Sequence, residues 1–344
     1  MIDEKDFSHD SMLYRFRGDA EYNFDAMLKN EMYAATPNIL NDPLDCPITY
    51  NLDKLYKKLL KREAFVQKYA ELIFPSSLEK RDPSSFESYE AYHDYYNSIF
   101  QESCSKLFDD KYASVVKDYI RVLAKKVIYR VRECFGIISF SLTCGNGVMW
   151  SHYASNYKGF VLAYNLLELK KNVNITVEKD YFLKQFKGIC GLFKVNYVST
   201  DDIIDGTDLM YELLCKQMAK KYQYSDMMDF ILATKHRDLL ITLLTTKDKS
   251  WEYEQEVRLI FPREDMWHSL RNVIEDPVPQ FFQVSKCYYP NGVIIGSNMS
   301  NVNKASVGYY CLKNNRVLLQ RINTDRLMSE RTLYLTLVKP QELV

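Results

Sequence analysis

The sequence predicts an α+β protein, in which a core of strands and short helices (residues 1–50 and 135–344) is interrupted by a helical block at about 51–134. Three observations carry this. Along Lys249–Phe261, the side chains of Trp251, Tyr253, Val257, Leu259 and Phe261 alternate with Glu252, Glu254, Glu256 and Arg258, which reads as one β-strand with a charged face. Between 116 and 131, Val116, Ile120, Leu123, Val127 and Val131 recur at helical spacing, one apolar stripe of a long helix. From 135 to 164 a strand (Phe135–Leu142), a loop (Thr143–Gly147), a short helix (Val148–Ser155) and a second strand (Gly159–Tyr164) follow one another.

The remaining elements can be placed in order. Met12–Arg17 is rich in β-formers and reads as a strand, Asp25–Asn30 as a short helix and Glu31–Thr36 as a second strand. Pro37–Asp45 is a turn-rich loop, since Asn-Asp-Pro favours turn initiation. Pro75 and Asp82-Pro83 mark helix boundaries inside the 51–134 block, and no low-complexity linker isolates it. A strand near 192–198 is followed by helices at about 207–223 and 225–246. The tail alternates strands at 279–287, 316–322 and 331–338 with a helix at about 301–313.

Composition narrows the function classes. Forty-five basic and forty-five acidic residues cancel, which argues against a general coat for nucleic acid and leaves only a local basic groove. The basic residues of the 116–132 helix (Lys117, Arg121, Lys125, Arg132) read as a solvated face. The first residues have neither a basic nor an apolar signal region, and no run of eighteen apolar residues exists, so no membrane association is expected. Eight cysteines without a C-x-x-C pair fit reduced thiols in a cytoplasmic protein, with no zinc site and no disulfide framework. Walker, G-x-G-x-x-G, G-x-S-x-G and H-E-x-x-H sequences are all absent.

Several residues stand out as candidates. Three carboxylates on one strand face, roughly 7 Å apart per two-residue step, repel one another, so Glu252, Glu254 and Glu256 suit chemistry or a cationic partner. Arg258 offsets part of that repulsion. Arg15, on the same strand face as Arg17 and Leu13, suits bidentate recognition of phosphate or carboxylate, or else pairs with a surface acid. Ser139 and Ser141 flank Phe140 and face one way, to bond a ligand, orient a carboxylate or satisfy the sheet. Trp150 and Tyr153 form either a stacking platform for a flat ring or ordinary aromatic core, and His152 either a general base or a structural histidine. Asp42 and Asp45 belong to a capping turn or project into a site.

These motifs resemble a family labelled domain of unknown function 2971. The resemblance rests on Leu13-Tyr-Arg15, Asn41-Asp-Pro-Leu-Asp45, Ser139-Phe-Ser141, Met149-Trp-Ser-His-Tyr153 before Gly159-Phe160, and Trp251-Glu-Tyr-Glu-Gln-Glu-Val-Arg258. More distantly, an arginine on a first strand, Ser-x-Ser on a middle strand and Glu-x-Glu on a late strand resemble the arginine-serine-glutamate class of ADP-ribosyltransferases. That resemblance implies a split, mostly antiparallel sheet and NAD as a consumed substrate. It implies that Arg15 contacts the NAD phosphates and that Ser139 or Ser141 supports the ribose. Glu256, with Glu254 before it, would stabilise the ribosyl cation, and Trp150 or Tyr153 would stack on nicotinamide. The resemblance further implies a protein or nucleic-acid acceptor, in a bacterial toxin or phage-defence setting.

Two other readings remain at this point. Asp42, Asp45, Glu254 and Glu256, with His152 nearby, form an oxygen-rich set for a metal-dependent hydrolase or nuclease. A non-catalytic module would instead present the acids to a basic partner. The sequence identifies neither the acceptor, nor the oligomeric state, nor any partner that restrains activity.

Overall fold

The computed structural model describes residues 11–42, 45–74, 82–186, 188–199, 204–218, 234–263, 281–285, 288–315, 317–322 and 335–343. The chain begins with β1 (Met12–Arg17), α1 (Glu21–Leu28) and β2 (Met32–Ala35). Helices α2 (Leu52–Leu60), α3 (Glu63–Ile73), α4 (Tyr89–Phe108) and α5 (Ala113–Glu133) occupy the expected helical block. Asn51 and Ser88 start α2 and α4 by accepting hydrogen bonds from the amides of Lys54 and Ala91. The α5 stripe is buried at Val116, Ile120, Val127 and Val131, and each such side chain contributes about 1.5–3 kcal/mol. Its polar side carries surface ion pairs, Lys117 with Asp53 at 2.6 Å and Arg121 with Asp118.

The second half holds β3 (Phe135–Ser141), α6 (Gly147–Tyr153), β4 (Phe160–Asn165), α7 (Leu166–Lys179), α8 (Tyr181–Gln185), β5 (Gly191–Lys194) and β6 (Asn196–Val198). Then come α9 (Thr207–Met218), α10 (Thr234–Leu244), β7 (Thr246–Asp248), a 3₁₀ segment (Lys249–Glu254) and β8 (Glu256–Pro262). The tail comprises β9 (Phe281–Ser285), β10 (Gly292–Ile295), α11 (Asn301–Lys313), β11 (Leu318–Ile322) and β12 (Leu335–Leu337). Residues 219–233, where the two expected helices were to meet, lie outside the described residues.

Ten strands form one sheet in the order β12-β11-β10-β4-β1-β3-β2-β9, with β8 pairing β3 and β5 pairing β8. Every pairing in it is antiparallel except β10 with β11. The sheet forks at β3. One edge of β3 pairs with β8 along its whole length, from Phe135 opposite Pro262 to Ser141 opposite Glu256. The other edge meets β1 only at Ser141, opposite Tyr14, and β2 only at Ile137, opposite Ala35. Beyond those points β1 follows β4 and β2 follows β9, which opens a gap.

Register decides which side chains share a face. Ser139 and Ser141 lie opposite Arg258 and Glu256, on the side that carries Ile137 and Ile260 into the core shared with α2, α3, α5, α9 and α10. Leu13, Phe140, Val257 and Leu259 line the other face with α1, α7 and α11.

The charged strand expected over Lys249–Phe261 is corrected by the structure. The Asp248 carboxylate accepts the Ser250 amide at 2.9 Å and turns Lys249–Glu254 into the 3₁₀ segment. Gln255 then adopts a left-handed conformation (φ 45°, ψ 51°), and the strand begins only at Glu256. Local turn chemistry therefore overrides a hydrophobic alternation that is real but only half strand. The structure also splits the 192–198 strand into β5 and β6, starts α1 at Glu21 rather than Asp25, and adds β7 and β10. No helix among the described residues is long and apolar enough to cross a membrane. The described cysteines, Cys46, Cys104, Cys134, Cys144, Cys190, Cys215 and Cys311, are free thiols; Cys287 lies outside the described residues.

Candidate functional site at the fork of the sheet

Burial of charge on β8 has to be matched by counter-charge, because an uncompensated ion in the interior costs several kcal/mol. The Arg258 side chain, fully buried, meets both Glu256 oxygens at 3.0 Å and Asp45 Oδ2 at 2.7 Å. Its other donor, Nη1, reaches the Leu244 carbonyl at 2.8 Å. Lys247 Nζ lies 2.6 Å from Glu254 Oε2, 3.4 Å from Glu256 Oε2 and 3.7 Å from Asp45 Oδ2, beneath the Trp251 ring at 4.8 Å. The backbone around the acids is fixed as well. Ser141 Oγ binds the Glu254 carbonyl at 2.7 Å, the Tyr197 hydroxyl accepts the Glu256 amide at 2.7 Å, and Asn146 Nδ2 donates to the Tyr253 carbonyl at 2.9 Å. Glu252, one turn earlier, is exposed.

The two glutamates titrate in opposite directions. Burial pushes Glu256 up, but Arg258 and Lys247, with hydrogen bonds from Arg258 and Ser139, outweigh it and hold the carboxyl at about 2. Burial also raises Glu254, and there it prevails over Lys247 and Tyr153, with Glu256 adding to the rise. The Tyr153 hydroxyl donates to Glu254 Oε1 and accepts from Asn41 Nδ2, so a polar chain runs from the surface to the cluster. Lys247 is pulled down by burial and pushed up more strongly by Glu256, Glu254 and Asp45. It is a fixed cation.

A consequence for stability follows from Glu256. A carboxylate depressed from 4.5 to about 2 stabilises the fold fully above 4.5, by roughly 3 kcal/mol, and that contribution is lost as pH falls from 4.5 towards 2. Glu256→Gln is therefore expected to flatten the acid limb of a urea-midpoint-against-pH curve between about 5 and 2. An acid limb identical to that of the parent would refute the assignment.

A cavity of about 1050 Å³ follows the fork and is lined from both faces of the sheet. Arg15, Ser139, Ser141, His152, Tyr153, Asp45, Lys247, Glu254 and Glu256 all border it. Its size is at the upper end of the roughly 300–1,000 Å³ usual for small-molecule sites. Their roles differ. Ser139 is exposed in the cavity, whereas the Ser141 hydroxyl is engaged with the Thr143 and Glu254 carbonyls. Arg15 is buried on the opposite sheet face from Glu256, and its Nη2 donates to the Tyr33 carbonyl at 2.8 Å, stapling β1 to β2 across the fork. His152 is exposed, edge-on to Tyr153.

Two expectations need correction. Trp150 offers no stacking platform: it is fully buried, stacked on Tyr157 at 5.6 Å, and its indole N–H donates to the Cys144 carbonyl at 2.7 Å. The oxygen set proposed for a divalent ion is already balanced by two fixed cations, Asp45 and Glu256 by Arg258 and Lys247 and Glu254 by Lys247, which disfavours a further divalent charge there. No group of three or more metal-ligating side chains occurs among the described residues. Asp42 is buried, one turn before the cluster. Sequence reasoning missed Lys247, Asn41 and Tyr197 as site residues. The only signal for Lys247 was a lysine directly after the apolar run Leu243-Leu-Thr-Thr246.

No curated protein and no solved structure matches this chain. Residues 149–259, which carry α6, β4 and both glutamates of the cluster, match the model of the family described as protein of unknown function (DUF2971), in line with the motifs from Met149 to Arg258.

Proposed function

We propose that the forked cleft consumes NAD in an ADP-ribosyltransferase-like reaction. One observation carries the reading. Two neighbouring carboxylates bridged by one lysine border a dinucleotide-sized cavity, one held well below the ordinary carboxylate value and the other raised above it.

The chemistry uses the two states differently. As the bond between the ribose C1′ and nicotinamide breaks, its electron pair leaves with nicotinamide and positive charge develops on the ribose. Glu256, ionised and held rigidly by Arg258 and Tyr197, offers a pre-oriented negative charge to that cation. Glu254, with its raised pKa and its contact to Tyr153, takes the proton of the acceptor's attacking oxygen or nitrogen as the new C1′ bond forms. Ser139 faces the cavity beside Glu256, and Tyr153, rather than Trp150, is the aromatic ring available to a flat group. The acceptor is a protein or a nucleic acid, and the toxin or phage-defence setting rests on the resemblance alone.

The test is incubation with NAD labelled in its ADP-ribose half, in the presence of cell extract, comparing the parent with Glu256→Gln. Nicotinamide release and label transfer by the parent, both lost in the variant, are the expected outcome. Silence of the parent with every extract removes the proposal.

A further inference from the structure

The first half of α4 stands in solvent: no side chain from Tyr89 to Ser98 is buried, and the first that is buried is Ile99. This stretch carries an aromatic stripe at helical spacing, Tyr89, Tyr92 and Tyr96, with successive ring centroids 6.3 and 5.2 Å apart. Tyr89 is 77 % exposed and Tyr96 40 %, and clustered aromatics left in water mark interaction surfaces. The charge around them has one sign. From Asp82 to Ser105 the chain carries five carboxylates and no lysine or arginine. Glu102 pairs with Lys106, and Asp82 accepts the amide and hydroxyl of Ser84. Glu90 and Asp94, exposed beside the tyrosines, enter no ion pair among the described residues. The outer face of α5 has the opposite character. Val115, Val122 and Tyr129, seven residues apart, are 48, 49 and 46 % exposed. Of the six basic residues of α5, Lys117, Arg121 and Arg130 pair with Asp53, Asp118 and Glu133, and Arg132 donates to the Asp45 and Cys46 carbonyls. Lys125 and Lys126, exposed between Val122 and Tyr129, are left without an ion pair among the described residues.

We infer that these two faces are the halves of one contact between two copies of this chain. The acidic, aromatic face of α4 on one copy lies against the basic face of α5 on the other, and a two-fold axis repeats the contact. Charge complementarity selects this occupant. A pairing of α4 with α4 sets carboxylates against carboxylates, and one of α5 with α5 sets lysines against lysines, both repulsive. A basic partner of another kind leaves α5 uncovered, and an acidic one leaves α4 uncovered, whereas a second copy covers both at once. Lys125 and Lys126 bring ammonium groups that suit the tyrosine faces as well as the carboxylates, and Val115 and Val122 add apolar area to the contact. Exposed ion pairs contribute little each and are screened by salt, so the association is of modest affinity and salt-sensitive. Neither helix lines the cavity at the fork, so the inference is independent of NAD cleavage.

The test is sedimentation velocity on the intact protein over a range of concentrations, at low and high salt. The parent should pass from monomer to dimer as concentration rises, at higher concentrations in high salt. One variant reverses α4 (Glu90→Lys with Asp94→Lys) and another reverses α5 (Lys125→Glu with Lys126→Glu). Each alone should raise the dimer dissociation constant by about tenfold or more, because both copies of the contact then set like charges together. Mixed in equal amounts, the two variants should form a heterodimer, since every α4 then meets an α5 of opposite sign. A chain carrying all four substitutions should dimerise by itself for the same reason. The four side chains are exposed, so thermal midpoints of the monomers should match the parent's and show that the variants are folded. A parent that stays monomeric at every concentration, a dimer indifferent to both reversals, or a mixture that fails to associate would overturn the contact.

Discussion

Arg258→Ala is expected to destabilise the protein by about 3–5 kcal/mol, because it strands Asp45 and Glu256 in the interior with only Lys247 between them. Total stabilities are only about 5–15 kcal/mol, so the variant should populate unfolded states at modest denaturant. The loss has three sources. Two carboxylates lose their nearest counter-charge, the Leu244 carbonyl loses a donor at 2.8 Å, and a fully buried side-chain volume is left empty. Arg258→Met, which refills much of the volume, should recover only the packing part, since the stranded charges remain. Equilibrium urea unfolding at neutral pH measures both. A loss below about 1 kcal/mol, the ordinary effect of a single substitution, would mean that Arg258 is not what balances the cluster.

Glu256→Gln is expected to lower nicotinamide release by about 10²–10³-fold, the scale on which removing one pre-oriented electrostatic group slows a reaction whose charge develops in the transition state. Glutamine keeps the shape and loses the charge. Glu252→Gln is the control: its side chain is exposed on the 3₁₀ segment and off the cavity, so it should leave the rate unchanged. Glu254→Gln should behave differently in its pH dependence. With Glu254 raised above the ordinary carboxylate value, the parent rate should fall on the acid side as Glu254 gains its proton, and that limb should vanish in the variant. Equal losses in all three glutamine variants would show that the effect is general charge and not the geometry of the cluster. An unchanged rate in Glu256→Gln would end its assignment as the stabilising carboxylate.

Much of the framework was legible because it depends on periodicity. The α5 stripe, β1, β3, α6 and α11 follow from apolar spacing and caps that act within a few residues. The candidate acids were legible for a different reason, since three carboxylates so close together need an explanation wherever they fall. Their arrangement was not legible. A strand reading put Glu252, Glu254 and Glu256 on one face, whereas the Asp248 cap and the left-handed Gln255 send Glu252 to solvent and fold Glu254 back over Lys247. Arg15 was singled out for its residue type, and the structure gives that side chain to a carbonyl across the fork.

The sequence by itself determined that the chain is α+β, that the described part of residues 51–134 is mainly helical, and that Arg15, Ser139, Tyr153, Glu254 and Glu256 are the side chains to explain. Those follow from local rules of spacing and from the cost of placing like charges together. Only the tertiary structure decided that Lys247 and Asp45, far apart in sequence, close the charge balance of β8. It alone placed the gap between β1 and β2, which depends on pairing partners more than a hundred residues apart. Partner choice at that range is set by which surfaces can be buried together, and no window of sequence contains that information. The acids and Arg258 were visible from the start; the opposite shifts of the two glutamates come from burial and from Lys247, which only the fold supplies.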